Sequence, residues 1–186
     1  MTSCSPAAAA AQEGDGVWVF AYGSLMWDPG FAHDAARPAR LGGWHRAMCI
    51  LSTRYRGTEL RPGLVLGLDR GGSCAGRAFQ VGAEFWPAVR AQLHAREMIT
   101  GVYLPRFVPV RLDDGRRVPA YAFVADRRHR QYWRGDAQAA CALIRQGEGQ
   151  KGSSRDYLAA TIRHMDELGL ADGALHRLLR RVDRVE

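Results

Sequence analysis

The sequence has no long apolar run and almost no lysine. None of its apolar stretches approaches the roughly 20 residues that a membrane-spanning helix needs, so we expect no such helix. Of the 26 basic residues only Lys151 is a lysine, and the formal net charge is +7. A basic surface of this kind attracts nucleic acid or small dianionic substrates, and both classes of ligand have to be considered.

Paired cysteine motifs are also missing. The four cysteines are far apart and show no C-x-x-C spacing, so reduced buried thiols are expected rather than disulfides or a zinc site: Cys4, Cys49, Cys74 and Cys141. His94 and Glu97 form an H-x-x-E, but no second histidine or cysteine lies nearby. We therefore predict no metal and no other cofactor.

One dense basic run, RRHRQYWR at 127–134, has aromatic residues interleaved with the arginines. Such a run could contact phosphates. No helix-turn-helix, zinc-finger or RNP pattern accompanies it, so a solvated loop is the expected structure. We predict a small-molecule substrate and no nucleic-acid or membrane partner; the sequence leaves the oligomeric state open.

Residues 1–16 are rich in alanine but lack the basic and apolar regions of a secretory signal. They are expected to be a disordered lead-in, and the cytoplasm is the expected location. Glycine and proline are spread along residues 17–186 rather than concentrated in a linker, which predicts a single domain there.

Short apolar runs predict four strands before residue 82: VWVFAY at 17–22, WHRAMCILST at 44–53, LVLGL at 64–68 and CAGRAFQV at 74–81. The last two are separated by a predicted turn, RGGS. The connections are too short for crossover helices, so antiparallel pairing is expected.

A helix is predicted over Ala83–Met98, with Pro87 tolerated in its first turn. VYLPRFVPVRL and RVPAYAFVA, joined by DDG, predict a hairpin. Three helices follow, with Asp136, Ser154 and Asp172 as expected N-caps. The predicted fold class is α+β: a small antiparallel β-barrel-like sheet with an inserted helix and a helical C-terminal third.

Glu97 is the leading catalytic candidate. Trp86, Val89 and Leu93 form an apolar stripe at helical spacing, and Glu97 continues it. A carboxylate there loses hydration and lies at the negative end of the helix dipole, and both effects raise its pKa toward the range of a proton shuttle. The alternatives are an ion pair with Arg96 or Arg106, or a solvated position past the end of the helix.

The segment YGSL at 22–25 follows the first strand directly. Gly23 would allow a sharp turn, and the N–H groups of Gly23, Ser24 and Leu25 could bind an oxyanion or a carboxylate. Among other residues with a possible binding role are Arg56, as a fixed cation for a carboxylate, and the phenols of Tyr103 and Tyr157. Each also has an ordinary structural explanation, as a solvated arginine or a packed tyrosine.

Taken together and in order, five segments resemble the ChaC family of glutathione-specific γ-glutamylcyclotransferases over about residues 17–182. They are VFAYGSLMWDPGF, GWHRAMCILSTRYRGT, RPGLVLGLDRGGSCAGRAFQV, AREMITGVYLPRFVPV and QGEGQKGSSRDYLAATIRHMDELGLAD. The resemblance implies a γ-glutamylcyclotransferase-like barrel with flanking helices.

The resemblance also implies cleavage of glutathione to 5-oxoproline and cysteinylglycine. Tyr22, Gly23, Ser24 and Leu25 then correspond to the signature that binds the γ-glutamyl end, and Glu97 to the glutamate of the R-E motif, the general acid/base. Tyr55 and Ser154 stand where family members often have His and Asn, and T-G-V-Y replaces a more usual G-G-Y, which bears on substrate range.

Three other functions are alternatives. A cyclotransferase acting on another γ-glutamyl amine or dipeptide would share the γ-glutamyl site. A non-catalytic binding module would have no need of an inward carboxylate at Glu97, and an RNA-associated protein would use residues 127–134.

Overall fold

A computed structural model describes residues 16–184 of the chain. Most of the predicted lead-in, residues 1–15, lies outside the described residues, as does Cys4. In chain order the strands are β1 (Val17–Ala21), β2 (Ala35–Ser52), β3 (Gly63–Val81), β4 (Tyr103–Leu112), β5 (Arg117–Ala125), β6 (Glu148–Gly149) and β7 (Gly152–Ser153). The helices are α1 (Trp86–Glu97), α2 (Ala137–Gln146), α3 (Ser154–Glu167) and α4 (Gly173–Asp183).

Five strands close into a barrel in the order β1-β3-β2-β4-β5, and β5 pairs back onto β1. All of these neighbours are antiparallel except β1 and β5, which are parallel and pair Trp18 with Ala120 and Val19 with Tyr121. The predicted α+β barrel is confirmed, and the parallel closing pair is the one departure from the antiparallel expectation.

The longest pairing joins β2 and β3, from Ala35 with Gln80 to Ser52 with Gly63. The turn predicted at RGGS is wrong, because β3 continues through it as one strand. Gly43, Gly71 and Gly72 have φ of 77°, 102° and 67°, a left-handed conformation that glycine adopts without strain. They lie at a register shift, where a bulge bends both strands and helps them curve around the barrel.

The predicted helices and hairpin are present with shifted ends. α1 begins at Trp86 rather than Ala83, with Pro87 in its first turn. Asp136 and Asp172 cap α2 and α4 as expected, but the cap of α3 is Ser153 rather than Ser154. The Ser154 side chain is buried instead, where its Oγ accepts from Leu64 N at 3.0 Å and donates to Leu64 O at 2.6 Å.

Alternate residues along the barrel strands pack into two different cores. Trp18 and Phe20 belong to a cluster drawn only from β1–β5, which fills the barrel. Val19 and Ala21 belong to a larger cluster that includes residues of all four helices and lies between the barrel and those helices. Cys49, Cys74 and Cys141 are buried free thiols. Within residues 16–184, no helix is long and apolar enough to span a membrane.

Candidate active site

The YGSL segment leaves the barrel at the end of β1 and forms a 3₁₀ turn over Ser24–Met26. Met26 N donates to Gly23 O at 2.9 Å, and Asp28 N donates to Ser24 O at 2.9 Å. The turn's own hydrogen bonds thus begin at Met26 and leave the amides of residues 23–25 unused by the turn. Gly23 has φ −133° and ψ −139°, and a Cβ there would meet Leu66 Cδ1 at 3.8 Å, so the chain turns at Gly23 without a positive φ.

A buried arginine fixes the entry to this turn. Arg46, on β2, has a side chain only 2% exposed. Its guanidinium donates to Tyr22 O at 2.5 Å, to Ala75 O at 2.6 Å and to Asp172 Oδ2 at 3.0 Å. Because these acceptors come from three separate segments, Arg46 connects the start of the turn to β3 and to the beginning of α4.

Glu97 is the last residue of α1, and Val89 and Leu93 bury the same face of the helix in the core. The Glu97 side chain is 22% exposed. Burial raises its pKa above the usual value of a glutamate, and the neighbouring Arg96 guanidinium partly opposes that rise. The carboxylate is therefore a stronger base than a solvated glutamate.

Arg96 links Glu97 to the YGSL turn. Its Nε lies 3.4 Å from Glu97 Oε1, and its Nη2 donates to Ser24 Oγ at 3.1 Å. Its Nη1 donates to Asp28 O at 2.9 Å. The ion pair that was the alternative interpretation of Glu97 is thus present, and it joins the carboxylate to the turn. Arg96 was not predicted to belong to the site, because helix periodicity does not indicate a contact with a turn so distant in the chain.

Glu97 and the YGSL turn line the same small cavity, of about 50 Å³. Tyr22, Tyr103 and Tyr157 form much of its wall. Burial raises the pKa of Tyr22 and Tyr103 well above the usual tyrosine value and that of Tyr157 to about 12, so all three phenols are neutral near pH 7. Tyr103 Oη donates to Leu66 O at 2.6 Å, which fixes its ring. The Leu25 side chain packs in the core, so only its backbone is available to a ligand.

A larger cavity, of about 610 Å³, shares Ser24, Glu97, Tyr103 and Tyr157 with the small one. Arg56 lies on its wall, with the guanidinium 5.3 Å from the Tyr157 ring centroid and donating to Lys151 O. The structure thus brings all the predicted site residues onto two adjoining cavities: Tyr22, Gly23, Ser24, Leu25, Arg56, Glu97, Tyr103 and Tyr157.

Some residues that line the larger cavity were not predicted from the sequence. Trp27 follows the YGSL turn, and its ring stacks on that of His164, on α3, with centroids 4.6 Å apart. No local pattern relates these two positions. Within residues 16–184, no three His, Cys, Asp or Glu side chains are grouped to hold a metal. His94 instead contacts Tyr121, with Nε2 2.5 Å from the phenol oxygen.

Two solved structures are similar to this chain in architecture. A crystal structure titled as a γ-glutamyl cyclotransferase specific to glutathione, from yeast, has a TM-score of 0.80 and is 21% identical. The match covers 91% of this chain and 96% of the yeast chain. A structure titled γ-glutamyl cyclotransferase matches with a TM-score of 0.53 at 14% identity, covering 87% and 85% of the two chains. The fold is therefore that of γ-glutamylcyclotransferases.

Sequence comparison gives the family. The family model described as ChaC-like protein matches residues 17–185, and the chain belongs to this family. A relative from Escherichia coli named glutathione-specific γ-glutamylcyclotransferase is 40% identical over 164 residues, covering 88% of this chain and 71% of the relative. A protein of the same name from Schizosaccharomyces pombe is 31% identical over 174 residues, covering 80% and 84%.

Proposed function

We propose that this chain is a glutathione-specific γ-glutamylcyclotransferase, which degrades glutathione to 5-oxoproline and cysteinylglycine. Membership of the ChaC family and the names of the E. coli and S. pombe relatives support this substrate. The observation that carries the proposal is the shared cavity of Glu97 and the YGSL turn, which adjoins a larger one. The γ-glutamyl half would bind beside Glu97, and cysteinylglycine would extend into the larger cavity.

The chemistry is an intramolecular acyl transfer. The α-amine of the γ-glutamyl group attacks its own side-chain amide carbon, and a five-membered lactam closes while the bond to the cysteine nitrogen breaks. Because both reacting groups belong to one molecule, the enzyme has mainly to hold the folded conformer, and effective molarity then supplies several kcal/mol. The phenols of the small cavity suit this task, since they are neutral and the ring of Tyr103 is fixed by its hydrogen bond to Leu66 O.

Proton transfer is assigned to Glu97. An α-ammonium cannot attack, so the carboxylate first removes one proton from it. The amine then attacks, the carbonyl oxygen takes up the electron pair, and collapse of the intermediate transfers the proton from Glu97 to the departing cysteine nitrogen. After ring closure the ring nitrogen still carries two protons. It passes one of them through the same carboxylate to the released amine, which leaves a neutral lactam and an ammonium group. Burial raises the pKa of Glu97, which favours the first of these steps.

The amides of Gly23, Ser24 and Leu25 are assigned to the negatively charged oxygens of the γ-glutamyl half. They precede the first hydrogen bond of the 3₁₀ turn, and their residues line the small cavity. Successive backbone N–H groups of this kind stabilise oxyanions and carboxylates. Arg96 contributes by holding the Ser24 hydroxyl and the Glu97 carboxylate in one arrangement.

The proposal is tested by incubating the protein with reduced glutathione and measuring 5-oxoproline and cysteinylglycine. Equimolar release of both is expected, with little 5-oxoproline from γ-glutamyl-alanine or γ-glutamyl-ε-lysine. Turnover of one of these amines without turnover of glutathione would assign the chain to another γ-glutamyl substrate. Absence of 5-oxoproline from all three would contradict the proposal.

Two further predictions accompany the function. The reaction is proposed to take place in the cytoplasm. We propose no nucleic-acid role for the run at 127–134, in which Arg127 Nε and Tyr132 Oη donate to Asp69 carboxylate oxygens at 2.7 and 3.0 Å.

A further inference from the structure

The wall of the larger cavity carries two cations on one aromatic ring. Lys151 Nζ lies 4.7 Å from the centroid of the Tyr55 ring, and Arg54 Cζ lies 5.4 Å from it. All three residues line the larger cavity and none lines the small one. We call Arg54, Tyr55 and Lys151 the Tyr55 rim.

Backbone contacts fix this rim in place. Gln150 N donates to Arg54 O at 2.9 Å and Lys151 N donates to Tyr55 O at 2.9 Å, so the turn between β6 and β7 lies against the loop after β2. The two segments approach each other so closely that a Cβ at Gly149 would lie 2.6 Å from Arg54 O. Arg54 Nε also donates to Gln150 Oε1 at 3.2 Å. The fold therefore holds the backbone of Arg54 near that of Lys151, which keeps the two cations on the same part of the cavity wall.

Among the described residues, no counter-charge contacts the cations of the rim. Within residues 16–184, no carboxylate forms an ion pair with Arg54 or Lys151. The acids that line the cavity have other partners: Asp28 and Glu97 pair with Arg96, and Asp156 pairs with Arg155. Like charges placed together without a carboxylate repel each other, and an anionic ligand relieves that repulsion.

We infer that the Tyr55 rim binds the carboxylate at the far end of the leaving half of the substrate, and that it selects γ-glutamyl peptides over γ-glutamyl amines. The inference rests on the proposed function and names the part of the substrate that these residues recognise. With the γ-glutamyl half beside Glu97, a two-residue leaving group reaches about 7 Å beyond the scissile bond, into the larger cavity. A simple amine offers no carboxylate there.

The experiment compares glutathione with its glycine ethyl ester, which lacks that charge, in 5-oxoproline release by the unchanged protein and by the double variant Arg54→Gln/Lys151→Gln. For glutathione we expect KM to rise about tenfold in the double variant, equivalent to about 1.4 kcal/mol, with kcat retained. For the ester we expect the same KM in both proteins. The KM for glutathione should also rise more steeply with salt in the unchanged protein than in the variant.

The matched control is Arg128→Gln/Arg130→Gln, which removes the same charge from exposed residues that line neither cavity. It should leave KM for both substrates unchanged. An unchanged KM for glutathione in the rim variant, or an equal rise for acid and ester, would overturn the inference while leaving the proposed function intact. No 5-oxoproline from glutathione with the unchanged protein would overturn both.

Discussion

Replacing Arg46 by methionine removes a buried cation that contacts three parts of the fold. The carbonyls of Tyr22 and Ala75 lose their guanidinium donor, and the Asp172 carboxylate loses its ion-pair partner. Methionine can occupy much of the same volume, so the cost comes from unsatisfied polar groups more than from a void.

Breaking a buried ion pair by removing one partner costs about 3–5 kcal/mol. The Arg46 side chain is 2% exposed, but that of Asp172 is 20% exposed, which lets water partly solvate the abandoned carboxylate. The lower end, about 3 kcal/mol, is therefore expected. For a chain of this length that corresponds to a fall in Tm of roughly 6–12 °C.

Urea denaturation followed by tryptophan fluorescence measures the change in the free energy of unfolding. The control is Arg40→Met on the same strand, where the exposed guanidinium donates to Ser73 Oγ at 3.0 Å and the loss should stay within about 0.5 kcal/mol. Adding Asp172→Asn to Arg46→Met should recover part of the stability, because asparagine still caps α4 without a charge. Equal stability of Arg46→Met and Arg40→Met would show that Arg46 contributes no more to the fold than an exposed arginine.

Three further predictions concern the site. Ser24→Ala removes the acceptor of Arg96 Nη2 and should raise KM several-fold with a smaller change in kcat; steady-state kinetics showing neither effect would limit the role of Ser24 to its backbone. Tyr103→Phe should destabilise the fold by about 1 kcal/mol in urea, since Leu66 O loses one donor; a stability equal to that of the unchanged protein would contradict this. Because burial raises the pKa of Glu97 and the base must be ionised, kcat/KM should fall as pH drops through that raised value; a profile flat down to the usual glutamate value of 4.5 would argue against a buried base.

Local pattern was enough to predict most elements but not how they pair. The apolar runs at 64–68 and 74–81 were correctly predicted as strands, yet the glycines between them indicated a turn. Gly71 and Gly72 instead lie in a bulge opposite Gly43, and only the pairing of β3 with β2 over their whole length reveals it. The same limit explains the β1–β5 contact, since nothing in either strand indicates a parallel partner.

The predicted site depended on one periodic feature. Three apolar positions on α1 were enough to orient Glu97 toward the core, because helix geometry relates residues four apart. Arg46 and Arg96 could not be recognised in the same way. Their partners, Tyr22 and Asp172 for one and Ser24 for the other, are far away in the chain and come together only through folding.

The proposed mechanism requires the Glu97 carboxylate to carry the proton during lactam formation, and Glu97→Gln removes that carboxylate. This change keeps the shape of the side chain. It also removes the carboxylate charge, which burial disfavours in the folded state and which therefore lowers the stability of the unchanged protein at pH values above the raised pKa. The variant should therefore be no less stable at pH 7 than the unchanged protein. We expect glutathione binding by calorimetry to be retained while 5-oxoproline release falls by about 10²–10⁴-fold. Release at a near-normal rate by the folded variant would contradict the mechanism.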